Sequence, residues 1–140
     1  MWYDVAITTA ITYTEAAPLE TVIRVTHGVI TRVSFRPRPG HSALCHARVF
    51  YHEHQLWPVS RNEDLHGDTF PIEWDDYEEI FTEPYELLVR SWNLDETYPH
   101  TFDLGFALLP EGIVAPTNWG KVMSDIFSLL SPRRIFGGGA

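Results

Sequence analysis

The chain holds one cysteine, Cys45, one lysine, Lys121, and no unbroken apolar run long enough to cross a bilayer. A lone cysteine excludes an intramolecular disulfide and any zinc site built on several thiolates, so Cys45 is expected to be a small buried apolar residue. The missing apolar run excludes a membrane-spanning helix. Glycine motifs of the G-x-x-x-x-G-K and G-x-G-x-x-G types are absent, and no serine sits in a G-x-S-x-G context, so the sequence offers no phosphate cradle and no activated nucleophile. Residues 1–18 have no basic segment ahead of an apolar block, so no signal peptide is expected and cytoplasmic synthesis is the default. The scarcity of lysine carries the most information. Nine of the ten basic residues are Arg, the cation enriched at protein interfaces where Lys is depleted.

What is present is an ordinary globular composition: 140 residues, 44% apolar and 14% aromatic. That suffices for one domain with its own core and excludes a mostly disordered chain. The net charge of −9 is unevenly spread. Residues 1–61 carry six Arg against four acids, whereas residues 62–100 carry twelve acids against Arg90 alone. Such a chain is a poor nucleic-acid binder. Its acidic stretch reads either as a solvated face, the commoner use of a charge run, or as one half of head-to-tail docking on copies of itself or on a partner of patterned charge.

The strongest local signal is residues 21–36, TVIRVTHGVITRVSFR, which alternates with period two. It is expected to be a hairpin turning at His27-Gly28. Val29, Val33 and Phe35 would share one face, opposed by Ile30, Arg32, Ser34 and Arg36. Pro37–Gly40 then ends the strand. Further strands are expected over 5–14, 42–51, 55–59, 68–74, 85–92 and 101–109, with Pro71 marking a sheet edge. Acidic residues 75–83 are expected to form an exposed loop or a short helical turn. Seven or eight short strands with Pro, Gly and Asp breaks indicate an all-β antiparallel sandwich or jelly roll over residues 1–112. Residues 113–132 follow helical spacing (Trp119, Val122, Met123, Ile126, Phe127, Leu130) and predict one amphipathic helix stopped at Pro132. Residues 133–140 form a basic, Gly-rich tail in which Arg133, Arg134, Ile135 and Phe136 precede three glycines.

Candidate chemistry is sparse. His52 and His54, two apart on a strand, would face the same way and are the weak candidates for a metal site, but further ligands cannot be identified. Asp64 with Asp68, or Asn93 with Asp95 and Glu96, offer oxygen clusters without the spacing of a calcium loop. Carboxylates are plentiful, yet nothing selects the pair a glycosidase needs. No catalytic residue, cofactor or metal is therefore expected. Five tryptophans (Trp2, Trp57, Trp74, Trp92, Trp119) suit either core and interface packing or a sugar-stacking platform, packing being the commoner use.

The pattern V-I-x-V-x-x-G-V-I-x-x-V-x-x-x-P-x-P-G from Val22 to Gly40, with His54-Gln55-Leu56-Trp57-Pro58 and Trp92-Asn93 after it, resembles small β-sandwich accessory virion proteins of tailed phages and related viruses. The resemblance covers residues 18–109. It implies a non-enzymatic structural subunit of a head, neck, tail or decoration, made in the host cytoplasm and built into the virion. Its partners would be copies of itself and other assembly proteins. The helix and tail lie outside the resemblance; from the charge pattern, the interface expected of such a subunit sets Arg24, Arg32, Arg36 and Arg48 against acidic residues 62–86 of a neighbour, while Trp119, Ile126, Phe127 and Arg133–Phe136 would pack either on their own sandwich or across subunits. A carbohydrate- or receptor-binding module, taking a host surface glycan, is the alternative.

Overall fold

A computed structural model describes residues 1–112 together with Ser124, Ile126 and Phe127. Eight strands make up the compact unit Met1–Leu109: β1 (Trp2–Thr9), β2 (Leu19–Arg24), β3 (Gly28–Pro37), β4 (Cys45–Tyr51), β5 (His54–Trp57), β6 (Ile72–Ile80), β7 (Glu86–Asn93) and β8 (His100–Leu109). They form two four-stranded sheets, A in the order β1-β8-β3-β6 and B in the order β2-β7-β4-β5. Every neighbouring pair is antiparallel. The expected all-β antiparallel sandwich is thus present. The expected helix over 113–132 and tail over 133–140 lie outside the described residues. Of that stretch only the helical, exposed Ser124, Ile126 and Phe127 are described, too few to establish the helix.

The core is filled by alternate residues of both sheets. Sheet A contributes Ile7, Ile30, Val33, Phe35, Ile80 and the series Phe102, Leu104, Phe106, Leu108; sheet B contributes Ile23, Cys45, Ala47, Val49, Leu56, Trp57, Leu87 and Val89. Phe106 is a hub: Tyr3 stacks on it at 5.0 Å and Trp57 meets it at 6.2 Å.

Three expectations about local structure are corrected. First, residues 21–36 are not a hairpin. β2 pairs with β7 in sheet B, while β3 pairs with β6 and β8 in sheet A, so His27-Gly28 carries the chain across the sandwich. Of the links between successive strands, only the β4–β5 turn keeps the chain within one sheet. Gly28 is needed here for room rather than for a turn, because a Cβ would lie 2.5 Å from the Leu109 carbonyl oxygen. Second, residues 75–80 are strand, not loop or helical turn. β6 is an edge strand, but it begins at Ile72, so Pro71 and the rest of residues 68–71 lie outside it, and its acids find a cross-strand cation: Glu73 and Asp75 each lie 3.3 Å from Arg32. Third, a bulge between Ile30 and Arg32 shifts the register of β3 against both neighbours. An extra residue there reverses which side the following side chains take. Ile30 therefore joins Val33 and Phe35 in the core cluster instead of opposing them. The first strand is also shorter than expected, because its pairing ends at Thr9 opposite His100, where β8 begins.

Candidate functional site

Because β2 and β3 lie in different sheets, the expected arginines do not share a face. Arg32 and Arg36 sit on sheet A and have partners within the chain: Glu73 and Asp75 for Arg32, Asp4 for Arg36. Arg24 and Arg48 belong to sheet B. Arg24 has no ion-pair partner among the described residues. Ile126 and Phe127 are exposed; Trp119 and Arg133–Phe136 lie outside the described residues.

The outer face of sheet B carries side chains in ordered rows. Core residues Ile23, Leu87, Val89, Ala47 and Val49 point inward, so the alternate residues of β2, β7 and β4 point out. Their registers lay down rows across the sheet. Val22, Leu88 and Phe50 align as one apolar row; Glu20, Arg90 and Arg48 align as a charged one; Trp92 and His46 form a third. Arg90 pairs with Glu20 at 3.1 Å and lies 4.8 Å over the Phe50 ring. Arg48 lies 4.9 Å over Trp92 and pairs with Glu15 at 3.1 Å. Among the described residues, three depressions lie along this face. One of about 440 Å³ is lined by Arg48, Phe50, Arg61, His54 and Arg90, among others. A second of about 310 Å³ shares Arg48, Phe50, Arg90 and adds Glu15 and Trp92. The third, about 230 Å³, holds Val22, Leu88, Pro84 and His52.

Beside these rows a loop is strapped to the sheet. β5 covers β4 only from Val49 to Tyr51, leaving the earlier part of that edge open. Leu65 takes it, exchanging two backbone hydrogen bonds with Ala47 at 2.8 and 2.9 Å. Leu65 buries its side chain in the core, so Asp64 and His66 face outward, opposite Arg48 and His46. The contacts follow from that register. His66 stacks on His46 at 4.7 Å, Asp64 Oδ1 accepts from Arg48 at 3.3 Å, and Asp64 Oδ2 bonds His46 Nδ1 and lies 3.7 Å from His66 Nδ1. Arg48 also donates to the carbonyls of Asn62 and Glu63, at 3.0 Å each. The metal-ligating atoms of His46, Asp64 and His66 lie within 4.8 Å of one another.

The histidines singled out in the sequence fare differently. His52 sits in the two-residue β4–β5 turn at φ 55° and bonds the Thr82 carbonyl, while His54 opens β5. A tight turn separates them, so they do not share a strand face. Nor do the oxygen clusters form cation cages. Asp68 accepts from the Gly40 N–H, and Asp95 accepts from the N–H groups of Thr97 and Tyr98 and from His100. Those bonds hold the Asp95 carboxyl below its usual range, the Thr97 N–H contributing most. Among the described tryptophans there is no exposed row: Trp57 and Trp92 are buried, Trp57 and Trp74 both donate to Asp76, and Trp2 lies against Gly105. The cluster His46/Asp64/His66 escaped the sequence reading because its members are not neighbours in the chain. The alternations His46-Ala47-Arg48 and Asp64-Leu65-His66 were legible; their pairing was not.

Comparison with family models, with curated proteins and with solved structures finds no match.

Proposed function

We propose that this protein is a non-enzymatic structural subunit that assembles through the outer face of sheet B, with a virion accessory component as its setting. The observation that carries this reading is the apolar row Val22–Leu88–Phe50, half-exposed and flanked by Arg24 on one side and by Arg48, Arg61 and Arg90 on the other. Apolar contact bordered by Arg is the composition of a protein interface. Neither Arg24 nor Arg61 has an ion-pair partner among the described residues, while Glu79 on the edge strand β6 and Glu83 beyond it are likewise unmatched and exposed. We take these acids, on the next copy, as the complement. Such a contact joins two different patches and builds a ring or a filament rather than a closed two-fold dimer. The strand order supports the same setting by analogy. β1-β8-β3-β6 facing β2-β7-β4-β5 matches the jelly-roll order, an arrangement used by viral capsid domains and also by lectins.

Light scattering on the purified full chain tests the proposal. A concentration-dependent oligomer is expected, weakened by raised salt and by Val22→Glu or Arg24→Glu, and partly recovered when Arg24→Glu is mixed with Glu79→Arg. A chain that stays monomeric at millimolar concentration overturns self-assembly, as does an oligomer indifferent to all three substitutions. Capsid, portal or tail genes beside its own would support the virion setting; their absence would count against it.

A further inference from the structure

We propose that His46, Asp64 and His66 bind a divalent transition-metal ion of the Zn²⁺ class that clamps the loop 60–66 onto β4. This is independent of what the apolar row contacts. Two imidazole nitrogens and one carboxylate form a set that suits borderline ions such as Zn²⁺, Ni²⁺ or Co²⁺ and is a poor match for Ca²⁺ or Mg²⁺, which want oxygen.

Four features argue for a built site rather than a chance cluster. The ligands come from two segments held in register by the Ala47–Leu65 backbone pair, so their positions are set by the sheet. His46 Nδ1 bonds Asp64 Oδ2; His66 Nδ1 lies 3.7 Å from that oxygen and is bonded to the Asp64 backbone carbonyl at 3.2 Å, while Arg48 occupies Oδ1. That is the division of labour in which an outer group orients a ligating carboxylate. His46 is clamped between His66 and Trp92, whose ring lies 5.7 Å away and nearly parallel at 13°. Burial is graded: the side chains of His46 and Asp64 are 14% and 18% exposed, that of His66 48%. Two ligands are thus pre-placed, and the third closes from the solvent side.

Donor atoms around an ion bound at about 2.0–2.1 Å lie roughly 3.4 Å apart in a tetrahedron, so separations of up to 4.8 Å must shorten. His66, the exposed member on the loop, can supply that movement. Loading the ion releases whatever proton His46 and Asp64 share, since the ligands must be deprotonated. Three protein ligands leave a coordination position open toward solvent, for water or for a carboxylate of a partner.

The test is isothermal titration of the tag-free full chain with Zn²⁺ alone, together with thermal melts. One ion per chain is expected with micromolar affinity or better, and a rise in melting temperature on adding Zn²⁺. His66→Ala, at a half-exposed position that leaves the fold intact, should abolish both responses. Asp64→Asn should weaken binding, and the double variant His52→Ala/His54→Ala should bind like the parent. Absence of heat and of a melting shift with millimolar Zn²⁺ overturns the proposal. So does binding that survives both His66→Ala and Asp64→Asn, or binding lost in the His52/His54 variant.

Discussion

Burial drives the Cys45 thiol up to about 11, with a hydrogen bond from Thr9 opposing it only in part. The thiolate is the reactive form, so native protein should resist a thiol-reactive disulfide reagent at pH 8 and react fully once unfolded in urea. His41 offers a second handle at the residue scale. Its Nε2–H donates to the Thr101 carbonyl at 2.6 Å, its Nδ1 is buried without a partner among the described residues, and the His100 ring lies 4.8 Å away. Burial, foremost, lowers its pKa from 6.5, with His100 and Arg38 acting in the same direction and the Thr101 bond and Asp68 opposing. The unfolded chain then takes up a proton before the native one does. Stability is full above pH 6.5 and falls as pH drops from there through the lower folded value. Urea midpoints measured between pH 7.5 and 5.0 should decline, and His41→Gln should flatten that slope. Asp95, whose carboxyl is held below 3.8, belongs to a separate and more acidic window.

At the scale of elements, the crossing from β2 to β3 is the feature most sensitive to a single atom. Gly28 sits where an added methyl would meet the Leu109 carbonyl oxygen and the Leu108 side chain, and a backbone oxygen in the closing strand cannot yield cheaply. Gly28→Ala should destabilise by about 1–3 kcal/mol, read from urea denaturation. Edge strand β6 shows how tertiary context overrides composition. Asp75, Asp76, Glu78 and Glu79 read as a loop because acids are depleted in strands. Arg32 neutralises one side of that run, and the indole N–H groups of Trp57 and Trp74 satisfy Asp76 on the other, at 2.7 and 3.4 Å. Glu78 has only His54 to offset its burial among the described residues. Burial raises its pKa, with Asp76 adding to the shift, so its stabilising contribution is present at low pH and lost as pH rises. Glu78→Gln should therefore raise the melting temperature at pH 7.5 and leave it little changed at pH 4.

For the whole molecule, stability rests on two sheets that cannot bury their inner faces separately. Phe106 joins them, stacked on Tyr3 from its own sheet and packed on Trp57 from the other. Truncation there leaves a large void between layers, and Phe106→Ala should cost about 3–5 kcal/mol in a single cooperative transition. The proposed assembly through sheet B and the proposed metal clamp beside it would likewise be properties of the whole. The crossed connections bring β2, β7 and β4 to one face, and the Ala47–Leu65 bridge brings the loop 60–66 beside it.

Alternation along the chain by itself determined that this is an all-β sandwich, roughly where its strands lie and that Cys45 is inside, because inward and outward positions are set by the two-residue period of a strand. It could not determine which strands are partners, since an alternating segment pairs equally well with many others. Whether residues 21–36 fold back on themselves or cross the sandwich was settled by long-range packing, and a bulge at residue 31 then reassigned Ile30 to the core. The same limit applied to the outer surface. The arginines were legible as a group, yet their division between two faces depended on the crossing from β2 to β3, and the meeting of His46 with Asp64 and His66 on a backbone bridge between residues eighteen apart. Residue chemistry is local, whereas its juxtaposition is tertiary.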